Sequence, residues 1–261
     1  MGVETPALLF EPIDHESVAD AVVDQIENLI VTGVLRQGVR LPAEREMAEL
    51  LDVSRPKLRE ALKRLEEKGL LEVRHGEGSF IPLLVGRALS PALTELYASH
   101  QAALFDYLEY RREQEGFAAG LAAVRATPSD REVIARIIET MEAAHAAGNE
   151  TAEQKADIDF HSAVVDASHN STLIHMMMSI YDLTRRGVFF NRKHIRALDT
   201  TGRTLLDQHK AIAAAITGRD PEAARLAARG HMDFVEKSFR EGMDLEKRES
   251  ISRKRRFMQG F

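Results

Sequence analysis

The chain has 261 residues, 44% hydrophobic and 29% charged, with a formal net charge of −6 and no cysteine. That length favours two domains of unequal size, and disulfide or thiolate chemistry is excluded, so any metal must be held by His or carboxylate. The acidic balance excludes a histone-like coating protein but not a chain with one locally basic face.

The opening stretch MGVETPALLFEPIDHES carries an acid where a secretion signal needs positive charge. No apolar run reaches the roughly 18 residues of a membrane span, so the expected compartment is the cytoplasm. Residues 16–33 place Val18, Val22, Ile26 and Ile30 at helical spacing, with Ser17 as N-cap and Gly33 as stop. A turn, LRQGVRLP, leads into a second helix in AEREMAELL, with Pro42 in its first turn. After Asp52, Val53 and Ser54 comes a third helix, RPKLREALKRLEEKG, capped by Ser54 and stopped by Gly69. LLEVR and SFI flank HGEG and read as two short strands joined by a glycine-rich turn. Three helices followed by a hairpin is the order of a winged helix-turn-helix, expected over 1–82.

Pro82, Gly86 and Pro91 mark a connector over 83–98. Helical patterns then succeed one another over 104–126, 129–147, 150–168, 172–190, 200–217 and 221–243, with Asp220 capping the last and Pro221 in its first turn. The expectation for 99–245 is an all-α antiparallel bundle large enough to enclose a pocket. The whole is mainly α. The basic end, 246–261, has no apolar face and is expected to be a mobile tail, its Arg253 to Arg256 run solvated rather than bound to DNA.

On the third helix Arg55, Arg59 and Lys63 recur every four residues and form one stripe, opposite Leu58, Leu62 and Leu65. A cationic stripe with a free helix N-terminus suits the major groove, and Arg can bridge guanine O6 and N7. Arg45 is placed to touch backbone, and His75 and Gly76 at the wing tip can approach the minor groove. Alone, such a stripe is as often a solvated face; the helix–turn–helix–hairpin context favours DNA.

In the bundle, Asp157 and His161 stand four apart on one helix, with His209 and His231 on later helices. Three imidazoles and one carboxylate are a reasonable set for Zn²⁺ or Ni²⁺. With ten His in the chain, spacing alone decides little. His169, His175 and His194 match no ligand pattern, and the Met run after His175 reads as helix core. Arg185 and Arg186 read as a solvated face.

LPAEREMAELLDVSRPKLREALKRLEEKGLLEVRHGEGSFI resembles the DNA-binding domain of the GntR family nearly position for position. By that resemblance Arg45, Ser54, Arg55, Lys57, Arg59, His75 and Gly76 occupy the operator-contacting positions. The helical region resembles the FCD effector domain of FadR-type members, which places a metal set on Asp157, His161, His209 and His231. The resemblance also implies a small carboxylate effector and an arginine facing it: Arg111, with Arg112 as the alternative. LSPALTELYASH and YLEYRREQEGFAAG look most like pyruvate- or lactate-responsive members, among them the pyruvate dehydrogenase complex repressors. The implied protein is a homodimeric repressor on palindromic operator DNA, not an enzyme and without a membrane partner. Two rivals remain: a regulator in which the divalent ion itself is the signal, and a metalloenzyme, for which no spare carboxylate stands out as general base.

Overall fold

The computed structural model describes residues 18–82, 84, 95, 100–185 and 201–259. Ser17, most of the expected connector, Arg186 and His194 lie outside them. The chain divides into two compact units, Met1–Leu84 and Val85–Phe261, and each is described by itself.

The first unit contains α1 (Val18–Val31), α2 (Glu44–Leu50), α3 (Arg55–Glu67) and a hairpin of β1 (Glu72–Arg74) and β2 (Gly78–Phe80). The apolar stripes of α1 and α3 meet in one core in which Leu58, Ala61 and Leu65 are completely buried beside Val22, Ile26 and Ile30. Gly69 ends α3 at φ +72°, a left-handed position that lets the Leu70 N–H turn back to the Leu65 carbonyl. In the antiparallel hairpin Glu72 pairs with Phe80 and Arg74 with Gly78, and the Arg74 guanidinium stacks over the Phe80 ring.

Three local features of this unit differ from the sequence expectation. LRQGVRLP is more than a turn: Leu41 N–H donates to Ser79 O at 2.9 Å and Ile81 N–H to Val39 O at 3.0 Å, which adds a short third edge to the wing. Three residues are too few for an alternating pattern to show. Pro42 precedes α2 rather than sitting in its first turn, since Ala43 is the N-cap residue. Ser54 does occupy the N-cap position of α3, but its hydroxyl makes no capping bond.

The second unit holds α4 (Gln101–Arg125), α5 (Pro128–Ala146), α6 (Glu150–Asp166), α7 (Ser171–Arg185), α8 (Thr201–Thr217) and α9 (Pro221–Met258). The Asp220 cap expected from sequence forms, and two further caps accompany it. Thr127 and Asp130 form a reciprocal capping box, Asn149 accepts from Ala152 N–H, and Asp220 accepts from Ala223 N–H at 2.9 Å. Buried Ala118, Ala119 and Ala122 on α4 face a core completed by Phe160, Met177, Ile212 and Ile216. Helix α4 packs along α9, and α8 lies against both and against α5. Within the Met run, Met177 is core, whereas Met176 is half exposed.

The expected mobile tail from residue 246 is instead helix, continuous in α9 to Met258. Residues 243–259 contain no Gly or Pro. Glu249 pairs with Arg253 one turn on, and Arg255 and Arg256 sit at the favourable end of the helix dipole. No described helix is long and apolar enough to cross a membrane.

Candidate DNA-reading face and buried imidazole pocket

On α3 the two stripes separate as their spacing requires. Leu58 and Leu65 are fully buried, whereas Arg55 is exposed and the Arg59 and Lys63 side chains are 64% and 76% exposed. Arg59 Nε donates to Glu44 Oε2 of α2 at 2.8 Å, and Lys57 Nζ to Glu60 Oε2 at 2.9 Å. Arg45, on α2, lies 3.8 Å from Glu49. Exposed pairs of this kind contribute about 0–1 kcal/mol, so a phosphate or a base edge can replace the carboxylate. Ser54 is exposed at the head of α3. His75 and Gly76 are exposed at the wing tip, where Gly76 at φ +78° makes the tight reversal. All seven sequence-selected residues therefore stand on the surface of this unit.

The bundle treats its polar residues in the opposite way. His161 of α6, His209 of α8 and His231 of α9 are 3%, 1% and 2% exposed. Each brings a ring nitrogen to within 4.8 Å of the other two. His209 Nε2 lies 3.4 Å from His161 Nε2 and 3.4 Å from Asp157 Oδ1, so the carboxylate one turn before His161 reaches the cluster through His209. His231 Nδ1 bonds Gln208 Oε1 at 3.1 Å, and the edge of Phe160 packs against His209. Burial pushes His209 down to about 4, with neighbouring His161 adding to the shift and Asp157 opposing it. Burial, followed by His209, His161 and Arg111, holds His231 well below its ordinary value. Both rings are therefore neutral near pH 7, the protonation state a metal ligand requires.

Of the two candidate arginines, Arg111 faces the imidazoles. It is 3% exposed and lines the same cavity as the three imidazoles, whereas Arg112 points outward and pairs with Asp233 and Glu113. Its Nη2 and Nε bond Glu115 Oε1 at 2.6 and 3.1 Å, and the Tyr107 and Tyr181 rings lie beside it. Glu115 also bonds His161 Nδ1 through Oε2 at 2.8 Å and receives the Tyr181 hydroxyl on Oε1 at 2.9 Å. Burial would raise this carboxyl, but His161 and Arg111 outweigh it and hold it down to about 2. At the pocket lining farther out, His145 Nδ1 meets Glu153 Oε1 at 3.2 Å.

The cavity measures about 50 Å³. At about 10–15 Å³ per water-sized group, that is room for a few such groups. The donor set fits a divalent transition metal: three buried imidazoles, with His209 and His231 neutral, and a nearby carboxylate, with polar groups orienting the rings behind them. Glu115, Tyr181 and Gln208 were missed by sequence reasoning. The available signal was Arg111 and Glu115 one turn apart on the face of α4 that continues into Ala118, Ala119 and Ala122, an ion pair where a solvated stripe has no place.

Residues 18–81 match the family of bacterial regulatory proteins named gntR, and residues 106–234 match the FCD domain family. An Escherichia coli K12 protein whose name assigns it provisionally to regulation of the L-lactate dehydrogenase operon is 35% identical over 222 residues, 84% of each chain. The chain belongs to the GntR family. This GntR-family member is a DNA-binding transcription regulator with an FCD effector domain, and its relatives are regulators, not enzymes. The Glc operon transcriptional activator of Escherichia coli K12 is 33% identical over 228 residues, covering 86% of this regulator and 90% of its own length. A GntR structure from Streptococcus agalactiae has a TM-score of 0.52 and 26% identity, and the match covers 84% of this chain and 100% of that one.

Proposed function

We propose that this regulator binds palindromic operator DNA as a homodimer and changes its affinity when a small hydroxy- or keto-carboxylate, of the size of lactate or pyruvate, enters the FCD pocket beside a bound Zn²⁺ or Ni²⁺. The observation that carries the reading is the meeting of three buried imidazoles and one buried guanidinium around a cavity of about 50 Å³. His161, His209 and His231, with Asp157 beside them, hold the ion. The ion supplies Lewis-acid attraction for a carboxylate oxygen, and Arg111 supplies a second positive group in the same cavity. The names of relatives that refer to lactate and Glc operons support an effector of this size.

At the other end of the chain, Arg55 and Arg59 read bases in the major groove, while Arg45, Ser54 and Lys57 hold phosphate and His75 with Gly76 approaches the minor groove. The effector acts only if it binds the two arrangements of the regulator with different affinity. Repression is the expected sign.

The test is a gel-shift titration of zinc-loaded regulator on its own upstream region, with and without L-lactate, pyruvate and glycolate. A shift in operator affinity of at least about fivefold with one acid is expected, the lower end of ordinary allosteric coupling. Affinity that follows chelator and zinc but ignores every acid would replace this reading with one in which the ion is the signal. Affinity indifferent to all of them would overturn both.

A further inference from the structure

One buried carboxylate receives more donors than its own helix can account for. Glu115 Oε1 accepts Arg111 Nη2 at 2.6 Å, Arg111 Nε at 3.1 Å and the Tyr181 hydroxyl at 2.9 Å, while Oε2 is left to His161 Nδ1 at 2.8 Å. The side chains of Glu115, Arg111 and His161 are 3%, 4% and 4% exposed. An ionised carboxylate only accepts hydrogen bonds, so the nitrogen facing it must carry a proton. We infer that Glu115 is a positioning residue for the metal pocket: it keeps the His161 proton on Nδ1, so that Nε2, which faces His209 Nε2 at 3.4 Å, is the nitrogen offered to the ion. This rests on the metal reading above.

The division of labour between the two oxygens explains why the residue is Glu rather than Gln. Three donor contacts converge on Oε1, and they would draw the single carbonyl oxygen of a glutamine to that side. The amide NH₂ would then face His161 Nδ1, which would have to accept, and the ring proton would move to Nε2. An ion would find no lone pair there. Arg111 has the complementary task of neutralising the carboxylate, since a buried unpaired charge costs several kcal/mol. Arg111 and His161 are thus tied to opposite oxygens of one group, and a shift of either ring or guanidinium is felt by the other.

The experiment compares zinc affinity of the metal-stripped full-length regulator and its variants by competition with a chromophoric chelator. Glu115→Gln is expected to bind zinc about 10- to 100-fold more weakly, the usual effect of losing a group that orients a metal-bound imidazole. Tyr181→Phe removes a donor from Oε1 but leaves the carboxylate on His161, and its loss of zinc affinity is expected to be smaller than that of Glu115→Gln. Equal affinity in wild type and Glu115→Gln would overturn the inference while leaving the metal reading intact. Equal losses in Glu115→Gln and Tyr181→Phe would reduce Glu115 to a packing strut and overturn it too. If wild type takes up neither zinc nor nickel, the metal reading itself fails and this inference goes with it.

A second measurement does not depend on Glu115→Gln folding. A long-range ¹H–¹⁵N spectrum of zinc-loaded wild type reads which nitrogen of His161 is protonated. Nδ1–H with metal on Nε2 is expected. Metal on Nδ1 would sink the assignment.

Discussion

In the N-terminal unit Arg55, Arg59 and Lys63 stand in solvent, with the partners Glu44 and Glu67 half-buried and exposed, respectively. In the bundle Arg111, Glu115, His161, His209 and His231 are all 3% exposed or less, and they are knitted together across α4, α6, α8 and α9. The physical contrast is between charges that keep their hydration and charges that have exchanged it for each other. The first can be removed without disturbing the fold, because water takes over the vacated partner. The second cannot, because any partner left behind is a desolvated polar group. Function and stability should therefore separate in one unit and remain entangled in the other.

The largest expected effect tests the entangled side. Arg111→Met keeps most of the volume but strands Glu115, and stability by urea titration should fall by about 3–5 kcal/mol. A loss under about 1 kcal/mol would mean that water reaches the pocket floor and the contrast is false. Next in size, wild type with zinc at about 1,000 times its dissociation constant should gain about 4 kcal/mol over the stripped protein. His209→Ala should lose that zinc-dependent gain, and retained stoichiometric zinc by elemental analysis would contradict the ligand assignment.

The separable side is sharpened by Arg59→Ala. Operator affinity should fall by about 1–3 kcal/mol, roughly 5- to 150-fold, with stability changed by less than about 0.5 kcal/mol. Unaltered operator binding would remove Arg59 from the reading face. Smaller still is the capping box of α5. Burial pushes Asp130 up, but hydrogen bonds from Thr127 and His169 outweigh it and hold it below its ordinary value. Its stabilising contribution is therefore present above the ordinary carboxylate range and lost as pH falls through it. Asp130→Ala should cost about 0.5–2 kcal/mol at neutral pH and less in acid. Smallest of all, Arg253→Ala in the exposed extension of α9 should change stability by less than about 0.5 kcal/mol, read from the denaturation midpoint.

How legible each part was follows the range of the interaction involved. The α3 stripes, the stop at Gly69 and the cap at Asp220 depend on residues within a turn or two, and periodicity and punctuation exposed them directly. The Asp157 and His161 pair was visible for the same reason, as neighbours one helical turn apart. The end of α9 was misread because a helix with no buried face carries no apolar stripe, although its ion pairs and the absence of breakers still sustain it. The strand edge at Val39–Leu41 was missed because three residues show no period.

Sequence alone determined the order of elements, the side of α3 that faces water, and the identity of three imidazoles and one carboxylate as a candidate set. Tertiary structure decided which arginine turns inward, that β2 has a second edge, and that Glu115 holds both Arg111 and His161. The reason is separation along the chain: Glu115 meets His161 across 46 residues and Tyr181 across 66. Such contacts leave no periodic trace, because only the packing of α4 against α6 and α7 brings their donors to one carboxylate.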